Sequence, residues 1–243
     1  MKNKKIRILF VVIAVMFFTF IICLSKDNDK PVIVNENDYL LSLPENIRKL
    51  YEDNPETEDF VFSYNELYGT KSEVDLSEYI ASEKMPLFMQ WDKRWGYMQY
   101  SGDCVAITGC GPVCLSMAVF HLTKDENMSP DKIVEFAAEK GYYQNGYGSL
   151  WTLVSEGGEE LGLNVQELPL DKNIIIRNLE QGNPVICVMG KGDFTSTGHF
   201  VVMREYKDGK IWINDPNSYE NSVKGWEYEK IKEQIKNLWA CSV

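Results

Sequence analysis

The sequence is poor in histidine and cysteine, and it has fewer basic than acidic side chains. Its 243 residues include 2 His, 6 Cys, 25 Lys or Arg and 36 Asp or Glu, which gives a formal net charge of -11. Residues 1–30 hold six of the basic and two of the acidic side chains, so the rest of the chain carries a net charge of -15. Because so acidic a body repels phosphates and anionic headgroups, nucleic acid is not expected as a partner.

Global disorder is excluded, because hydrophobic residues make up 44% of the chain and aromatics 12%. A disulfide scaffold is excluded as well, because the five cysteines beyond Cys23 are too few for a body of this size. An odd number of cysteines in an exported domain leaves at least one thiol unpaired. Such a thiol is a candidate nucleophile.

An uncharged run of 17 residues, Ile8 to Leu24, follows a basic flank at the start of the chain. As a helix it would be about 25 Å long, which is the short end of a membrane span. The pattern is typical of a secretory signal or an uncleaved anchor. The segment Ile21-Ile22-Cys23-Leu24 lacks the small side chains that cleavage or lipid attachment needs. We therefore predict a membrane anchor with the body outside the cell, or a secreted protein if the segment is cleaved.

Three parts are predicted along the chain. Residues 1–25 form the anchor or signal segment, residues 26–84 form a linker and a helical preface, and residues 85–243 form the main domain. The preface has a helical pattern near Leu43–Tyr51.

The main domain is predicted to place helices first and strands later, with a closing helix. Helices are expected at Gly111–Leu122, Ser129–Lys140, Ser149–Leu161, Asp171–Gln181 and Tyr228–Leu238. Strands are expected at Pro184–Met189, Phe200–Tyr206 and Ile211–Asn214, the last two joined by a hairpin turn at residues 207–210. Helices segregated from a later antiparallel sheet define an α+β fold.

Cys110 is the cysteine whose surroundings best fit a nucleophile. It lies at the start of a helix, where the helix dipole stabilises a thiolate and backbone amides can bind an oxyanion. Gly109 and Gly111 allow close approach of a substrate. Cys104 precedes the helix, Cys114 lies on its apolar stripe and Cys187 lies within a predicted strand. These three cysteines are therefore interpreted as packing residues.

A thiolate nucleophile needs a base, and the chain has two histidines. His121 follows Cys110 by eleven residues on the same helix, roughly 16 Å along its axis, which is too far for proton transfer. The same distance argues against a zinc site built from Cys110, Cys114 and His121. By elimination, the base is His199.

The predicted hairpin returns toward His199 and ends in Asn214-Asp215-Pro216. A carboxylate beside His199 would fix its tautomer and stabilise its charged form. Asn214 offers an alternative, but neighbouring strand residues point to opposite faces, so one of the two should reach the ring. We favour Asp215.

Four motifs occur in order, namely Pro86-Leu87-Phe88-Met89-Gln90-Trp91-Asp92-Lys93-Arg94-Trp95, Gly109-Cys110-Gly111-Pro112, Gly198-His199-Phe200-Val201-Val202 and Asn214-Asp215-Pro216. With these motifs the chain resembles, over most of residues 86–243, the papain-like cysteine peptidases of family thirty-nine, in its broad "like" branch. That family includes domains that cut leader peptides from bacteriocins. Together with the anchor, the resemblance suggests a Gram-positive bacterium.

The resemblance implies a papain-like fold, with helices packed on an antiparallel sheet. It also implies that Cys110 is the nucleophile, His199 the base and Asp215 the residue that orients it, and that the side-chain amide of Gln90 donates to the oxyanion. The leader-cutting members usually lie in the cytoplasm, fused to a transporter, and have a shorter gap between the residues matching Gln90 and Cys110. These differences leave the substrate open.

The leading hypothesis is therefore an extracytoplasmic cysteine peptidase that acts on a peptide or protein and needs no metal or organic cofactor. One alternative is a peptidoglycan amidase or endopeptidase acting on cell-wall peptide, although the sequence has no recognisable wall-binding repeat. The other is a peptide-binding module that has kept the fold and lost turnover. The membrane is expected as a partner through the N-terminal segment.

Overall fold

The computed structural model describes residues 35–70 and 72–243 of the protein. These residues divide into two units, residues 35–44 and Glu45–Val243, and the second contains every candidate site residue. The predicted anchor at Ile8–Leu24 lies outside the described residues. Across the described ranges, each helix is too short or too polar to cross a bilayer.

The helices lie mostly before the main sheet in chain order. In the first unit α1 spans Glu36–Ser42. In the second unit the helices are α2 (Glu45–Asp53), α3 (Glu58–Phe62), α4 (Tyr64–Leu67), α5 (Ser77–Ile80), α6 (Val105–Thr108), α7 (Cys110–Thr123), α8 (Pro130–Lys140), α9 (Thr152–Glu160), α10 (Lys172–Glu180), α11 (Tyr219–Ser222) and α12 (Tyr228–Ile231). Short 3-10 helices span Pro55–Thr57, Glu126–Met128 and Lys232–Gln234.

The strands form one large antiparallel sheet and two small ladders. The strands are β1 (Gln99–Tyr100), β2 (Asp103–Cys104), β3 (Tyr143–Gln144), β4 (Gly148–Ser149), β5 (Asn164–Glu167), β6 (Val185–Met189), β7 (His199–Lys207), β8 (Lys210–Asn214), β9 (Gly225–Trp226) and β10 (Ile235–Ser242). The large sheet has the order β5-β10-β6-β7-β8-β9, while β1 pairs with β2 and β3 with β4. The α+β prediction is confirmed.

Both faces of the large sheet are covered by apolar side chains. In β7, Phe200 and Val202 belong to the hydrophobic cluster that contains α7, whereas Val201 and Met203 belong to a second cluster with residues of α10 and α12. This split follows from the two-residue period of a strand. A strand covered on both faces is a continuous apolar run, and all five residues of β6 are buried.

The central helix α7 is apolar around its whole circumference, because the ten residues from Gly111 to Phe120 are all buried. It packs against β7 on one side and against α8 and α9 on others. A helix that is hydrophobic all round belongs in the core. The fold therefore holds the N-terminus of α7 rigidly against the beginning of β7.

The prediction of a helix over Tyr228–Leu238 is wrong. Helix α12 ends at Ile231, and after a 3-10 turn the chain forms β10, which lies between β5 and β6. Ile231, Ile235 and Leu238 have the spacing of a helix stripe, but the buried run that follows, to Cys241, is typical of a central strand.

Two smaller differences concern the region before the large sheet. The helix predicted at Ser149–Leu161 begins later, at Thr152, because Gly148–Ser149 pairs as β4 with β3. Strand β5 was not predicted, because most of its residues are exposed and polar.

Candidate active site

Cys110 is the first residue of α7, and its side chain is half-buried. The unpaired N–H groups and the positive end of the helix dipole meet at this position. A Cβ on Gly109 would lie 2.4 Å from Val105 Cγ1, and a Cβ on Gly111 would lie 2.3 Å from Ser149 Oγ. The two glycines therefore let neighbouring segments of the protein itself close around Cys110.

His199, the first residue of β7, lies against the Cys110 thiol. Burial raises the pKa of Cys110, but a hydrogen bond to His199, its charge, and the backbone N–H groups of Phe200 and Gly111 hold that pKa below its ordinary value. Burial lowers the pKa of His199, but the nearby Asp215 carboxylate and the Cys110 thiolate raise it to about 10. Each shift favours the charged form of its group, so the site stabilises a thiolate paired with an imidazolium.

Asp215 is buried and hydrogen-bonds the far nitrogen of the His199 ring. Its Oδ1 lies 2.7 Å from His199 Nε2, which leaves Nδ1 to face Cys110. Oδ1 also accepts from the Asn217 backbone N–H at 2.9 Å, and Oδ2 accepts from Asn221 Nδ2 at 2.9 Å. Burial raises the pKa of Asp215, but His199 and these donors lower it below the ordinary value.

In the structure Asp215 contacts His199 and Asn214 does not, as the alternation of strand side chains requires. Val202 pairs with Asn214 across the β7–β8 hairpin, so the two face the same side of the sheet. Asn214 Nδ2 donates to the Pro86 carbonyl at 2.9 Å and does not reach the ring. The adjacent Asp215 points to the opposite side, toward His199.

Gln90 is buried beside the segment that leads into α7. Its Nε2 donates to the Ala106 carbonyl at 2.6 Å, and its backbone N–H donates to the Pro216 carbonyl at 2.7 Å. Its Oε1 is buried and has no hydrogen-bond partner among the described residues. Gln90 is thus held between the residues preceding Cys110 and the loop that follows Asp215.

The remaining cysteines of the described chain differ from Cys110, because all four are fully buried, free thiols. Burial raises the pKa of each one, to about 12 for Cys104 and Cys241 and further for Cys114 and Cys187. A thiol in an apolar, buried place is inert. Cys110 alone among the described cysteines combines access with a lowered pKa.

His121 lies on the last turn of α7, and burial together with Lys124 lowers its pKa. The described residues contain no cluster of three or more His, Cys, Asp or Glu side chains that could hold a metal ion. Trp95 is fully buried and donates to the Met89 carbonyl, so it is a packing residue. Trp91 is half-buried and donates to a backbone carbonyl in the loop after Asp215.

Sequence reasoning missed the residues that hold Asp215 itself. Asn221 donates to its carboxylate, and Ser222 Oγ accepts from its backbone N–H at 2.9 Å. Both lie in α11, whose first turn is capped by Ser218. The polar run after Pro216 predicts a turn or a short helix, but nothing in its spacing indicates that it hydrogen-bonds the Asp215 carboxylate.

Comparison with known proteins identifies the family. The sequence model of the Peptidase_C39 like family matches residues 82–242, and the chain therefore belongs to that family. No curated protein matches the chain. Family membership confirms the resemblance and the papain-like fold, and it makes the chain a member of a peptidase family whose substrates are peptides or proteins.

Solved structures similar to the chain include two peptidase domains and a putative peptidase. The peptidase domain of Streptococcus ComA, a bi-functional ABC transporter involved in quorum sensing, is 18% identical, with 56% of this chain and 91% of that chain covered and a TM-score of 0.44. A putative C39-like peptidase from Bacillus anthracis is 15% identical, with coverage of 66% and 96% and a TM-score of 0.46. The Streptococcus mutans ComA peptidase domain in complex with a small-molecule inhibitor is 18% identical, with 56% of this chain and 93% of that chain covered and a TM-score of 0.39.

Proposed function

We propose that the protein is a cysteine peptidase in which Cys110, His199 and Asp215 hydrolyse peptide bonds. One observation carries the proposal: a half-buried thiol at a helix N-terminus contacts a buried imidazole that is itself bonded to a buried carboxylate. Each group's pKa is shifted in the direction that such a mechanism requires, downward for the thiol and upward for the imidazole.

The reaction begins when the Cys110 thiolate attacks the carbonyl carbon and forms a C–S bond. The negative charge that develops on the carbonyl oxygen is stabilised by the Cys110 backbone N–H at the helix end and by Gln90 Nε2, whose second hydrogen is not used by Ala106. His199 then gives its proton to the departing amine as the C–N bond breaks, which leaves a thioester on Cys110.

Hydrolysis of the thioester restores the site. His199, now neutral, takes a proton from a water molecule, and the resulting hydroxide adds to the thioester carbonyl. The C–S bond breaks, the acid product leaves, and the proton retained by His199 regenerates the ion pair with Cys110. Throughout, Asp215 holds the imidazole by Nε2 so that Nδ1 faces the thiol.

We further propose that this peptidase acts outside the cytoplasmic membrane. The support comes from the sequence, namely the basic flank, the uncharged run Ile8–Leu24 and the net charge of -15 on the remainder. The substrate would then be an extracellular peptide or protein, or a peptide of the cell wall.

Alkylation of the full-length protein with iodoacetamide at graded pH, followed by mass spectrometry, tests the nucleophile. Cys110 is expected to react rapidly below about pH 7, well under the free-thiol pKa of about 8.5. The four buried cysteines provide internal controls that should stay unlabelled. His199→Ala should slow the labelling of Cys110, because the imidazolium that stabilises the thiolate is lost.

Turnover is tested separately with a mixed peptide library and with purified peptidoglycan, using Cys110→Ala as the matched inactive variant. Cleavage of library peptides by the wild type but not by this variant would support the proposal. Release of wall fragments would identify a cell-wall peptidase. A labelled Cys110 with no cleavage of either substrate would instead indicate a peptide-binding module, and an unreactive Cys110 would refute the catalytic mechanism.

A further inference from the structure

The segment just before the family match takes part in the architecture of the site. The match begins at residue 82, whereas helices α2 to α5 lie between residues 45 and 80. These helices nevertheless belong to the same compact unit as the candidate active site. Their contacts with the loop after Asp215 show what they contribute.

Two side chains of the 3-10 turn that follows α2 bind this loop. The Glu56 carboxylate accepts from the backbone N–H of Tyr219 at 2.8 Å and from that of Glu220 at 2.9 Å, one with each oxygen. Asn54 Nδ2 donates to the Asn217 carbonyl at 2.6 Å. We call Asn54 and Glu56 the clamp.

The clamp supplies what α11 lacks by itself. Helix α11 has four residues, and a helix of one turn is not stable in isolation. Its first N–H groups have no partner within the helix, and Glu56 accepts from two of them with the charge that a helix N-terminus prefers.

Helix α11 in turn holds the carboxylate at the site. Asn221 Nδ2 donates to Asp215 Oδ2 at 2.9 Å, and the Asp215 N–H donates to Ser222 Oγ at 2.9 Å. Asp215 then bonds His199, which contacts Cys110. Glu56 is therefore connected to the proposed nucleophile through hydrogen bonds to α11, the short backbone of that helix, and the hydrogen bonds from α11 through Asp215 and His199.

We propose that the clamp positions Asp215 for its bond to His199, so that the segment before the family match is needed for an activated thiol. The inference rests on the proposed function of Cys110, His199 and Asp215. Glu56 is a positioning residue, since it touches none of the reacting atoms. Without it α11 loosens, Asn221 holds the carboxylate less firmly, and the ion pair between His199 and Cys110 weakens.

The test compares Glu56→Ala and Glu56→Gln with wild type in the full-length protein. The matched control is Glu58→Gln, which removes an exposed charge two residues away on the same segment. For each protein the rate of Cys110 alkylation is measured between pH 4 and pH 9 together with the thermal unfolding midpoint. Histidine NMR gives the pKa of His199 independently of the thiol.

Glu56→Ala is expected to slow Cys110 alkylation by about tenfold at pH values below the pKa of the thiol, through a rise of about one unit in that pKa. Glu56→Gln keeps one acceptor oxygen and should give a smaller loss, while Glu58→Gln should match wild type. A merely structural role of Glu56 would lower the unfolding midpoint without moving the pH profile, and this outcome would overturn the proposal.

The other outcomes are equally decisive. If Cys110 alkylation in Glu56→Ala has the wild-type pH profile, the proposed positioning role of the clamp is wrong and the proposed function is unaffected. An unreactive Cys110 in wild type would instead remove the proposed function, and the clamp would then be judged by the pKa of His199, which should fall in Glu56→Ala. If neither Glu56 variant folds, the same measurements on Asn54→Ala, which removes the other side chain of the clamp, decide the proposal, and a wild-type pH profile in that variant overturns it.

Discussion

Replacing Asp215 by Asn should lower the pKa of His199 by about three units. The substitution keeps the shape of the side chain and an oxygen that can accept from His199 Nε2, but it removes the charge that lies 2.7 Å from that nitrogen. For charge centres about 4 Å apart and an effective dielectric constant of about 20, the lost attraction is about 4 kcal/mol, or about three pKa units. The pKa of His199 should therefore fall from about 10 to about 7.

Histidine NMR measures this value directly, because the chain has two histidines. In protein labelled with ¹⁵N-histidine, His121 provides an internal reference whose own pKa lies below the ordinary value. The matched control is Asp208→Asn, at the hairpin turn beyond the other end of β7, where the positive φ of 53° suits asparagine. It removes the same charge and should leave the pKa of His199 unchanged.

The direction of the change follows from the sign of the charge. A carboxylate favours the protonated ring, so its removal moves the titration to lower pH. The thiolate of Cys110 then loses its cationic partner as the pH rises through about 7, and its alkylation at pH 8 should slow in parallel. A fall of less than one unit in Asp215→Asn, or an equal fall in Asp208→Asn, would refute the assignment of Asp215 as the residue that sets the charge of His199.

Three further substitutions, one of them with a matched control, separate chemistry from packing. Gln90→Ala should slow peptide hydrolysis by about 10²-fold or more yet leave Cys110 alkylation unchanged, because alkylation forms no oxyanion; equal losses in both assays would contradict the proposed role. Gly111→Ala places a Cβ 2.3 Å from Ser149 Oγ and should lower both the melting temperature and activity, whereas Gly198→Ala, with open space at its Cβ, should change neither. Cys114→Ser buries a hydroxyl in the core and should lower the free energy of unfolding in urea by about 1–3 kcal/mol, with Cys110 in the folded protein still labelled at the wild-type rate.

Much of the site geometry could be predicted because it depends on local rules. The hairpin turn at residues 207–210 fixes which residues of β7 and β8 face each other, and the two-residue period then separates Asn214 from Asp215. The glycines around Cys110 and the apolar run after it indicate the start of α7. These signals lie within about fifteen residues of the structure they specify.

Features that depend on distant contacts could not be predicted in this way. The hydrophobic spacing of Ile231, Ile235 and Leu238 fits either a helix stripe or a buried strand, and the neighbours β5 and β6 decide the outcome. The bonds from Glu56 to α11 join residues more than 160 positions apart, and no local pattern marks them. The partner of Gln90 Nε2, the Ala106 carbonyl, is a backbone atom that composition cannot reveal.

The position of β10 has a consequence for how the protein matures. Strand β10 comes last in chain order, yet it pairs with both β5 and β6 and joins them into one sheet. Until residues 235–242 have left the ribosome, β5 and β6 have no partner between them, and such long-range strand pairing forms slowly. A chain synthesised only as far as residue 234 would already contain Cys110, His199 and Asp215 but would lack the strand that joins β5 to the rest of the sheet. The complete sheet around these three residues therefore forms only once residues 235–242 are available to pair with β5 and β6.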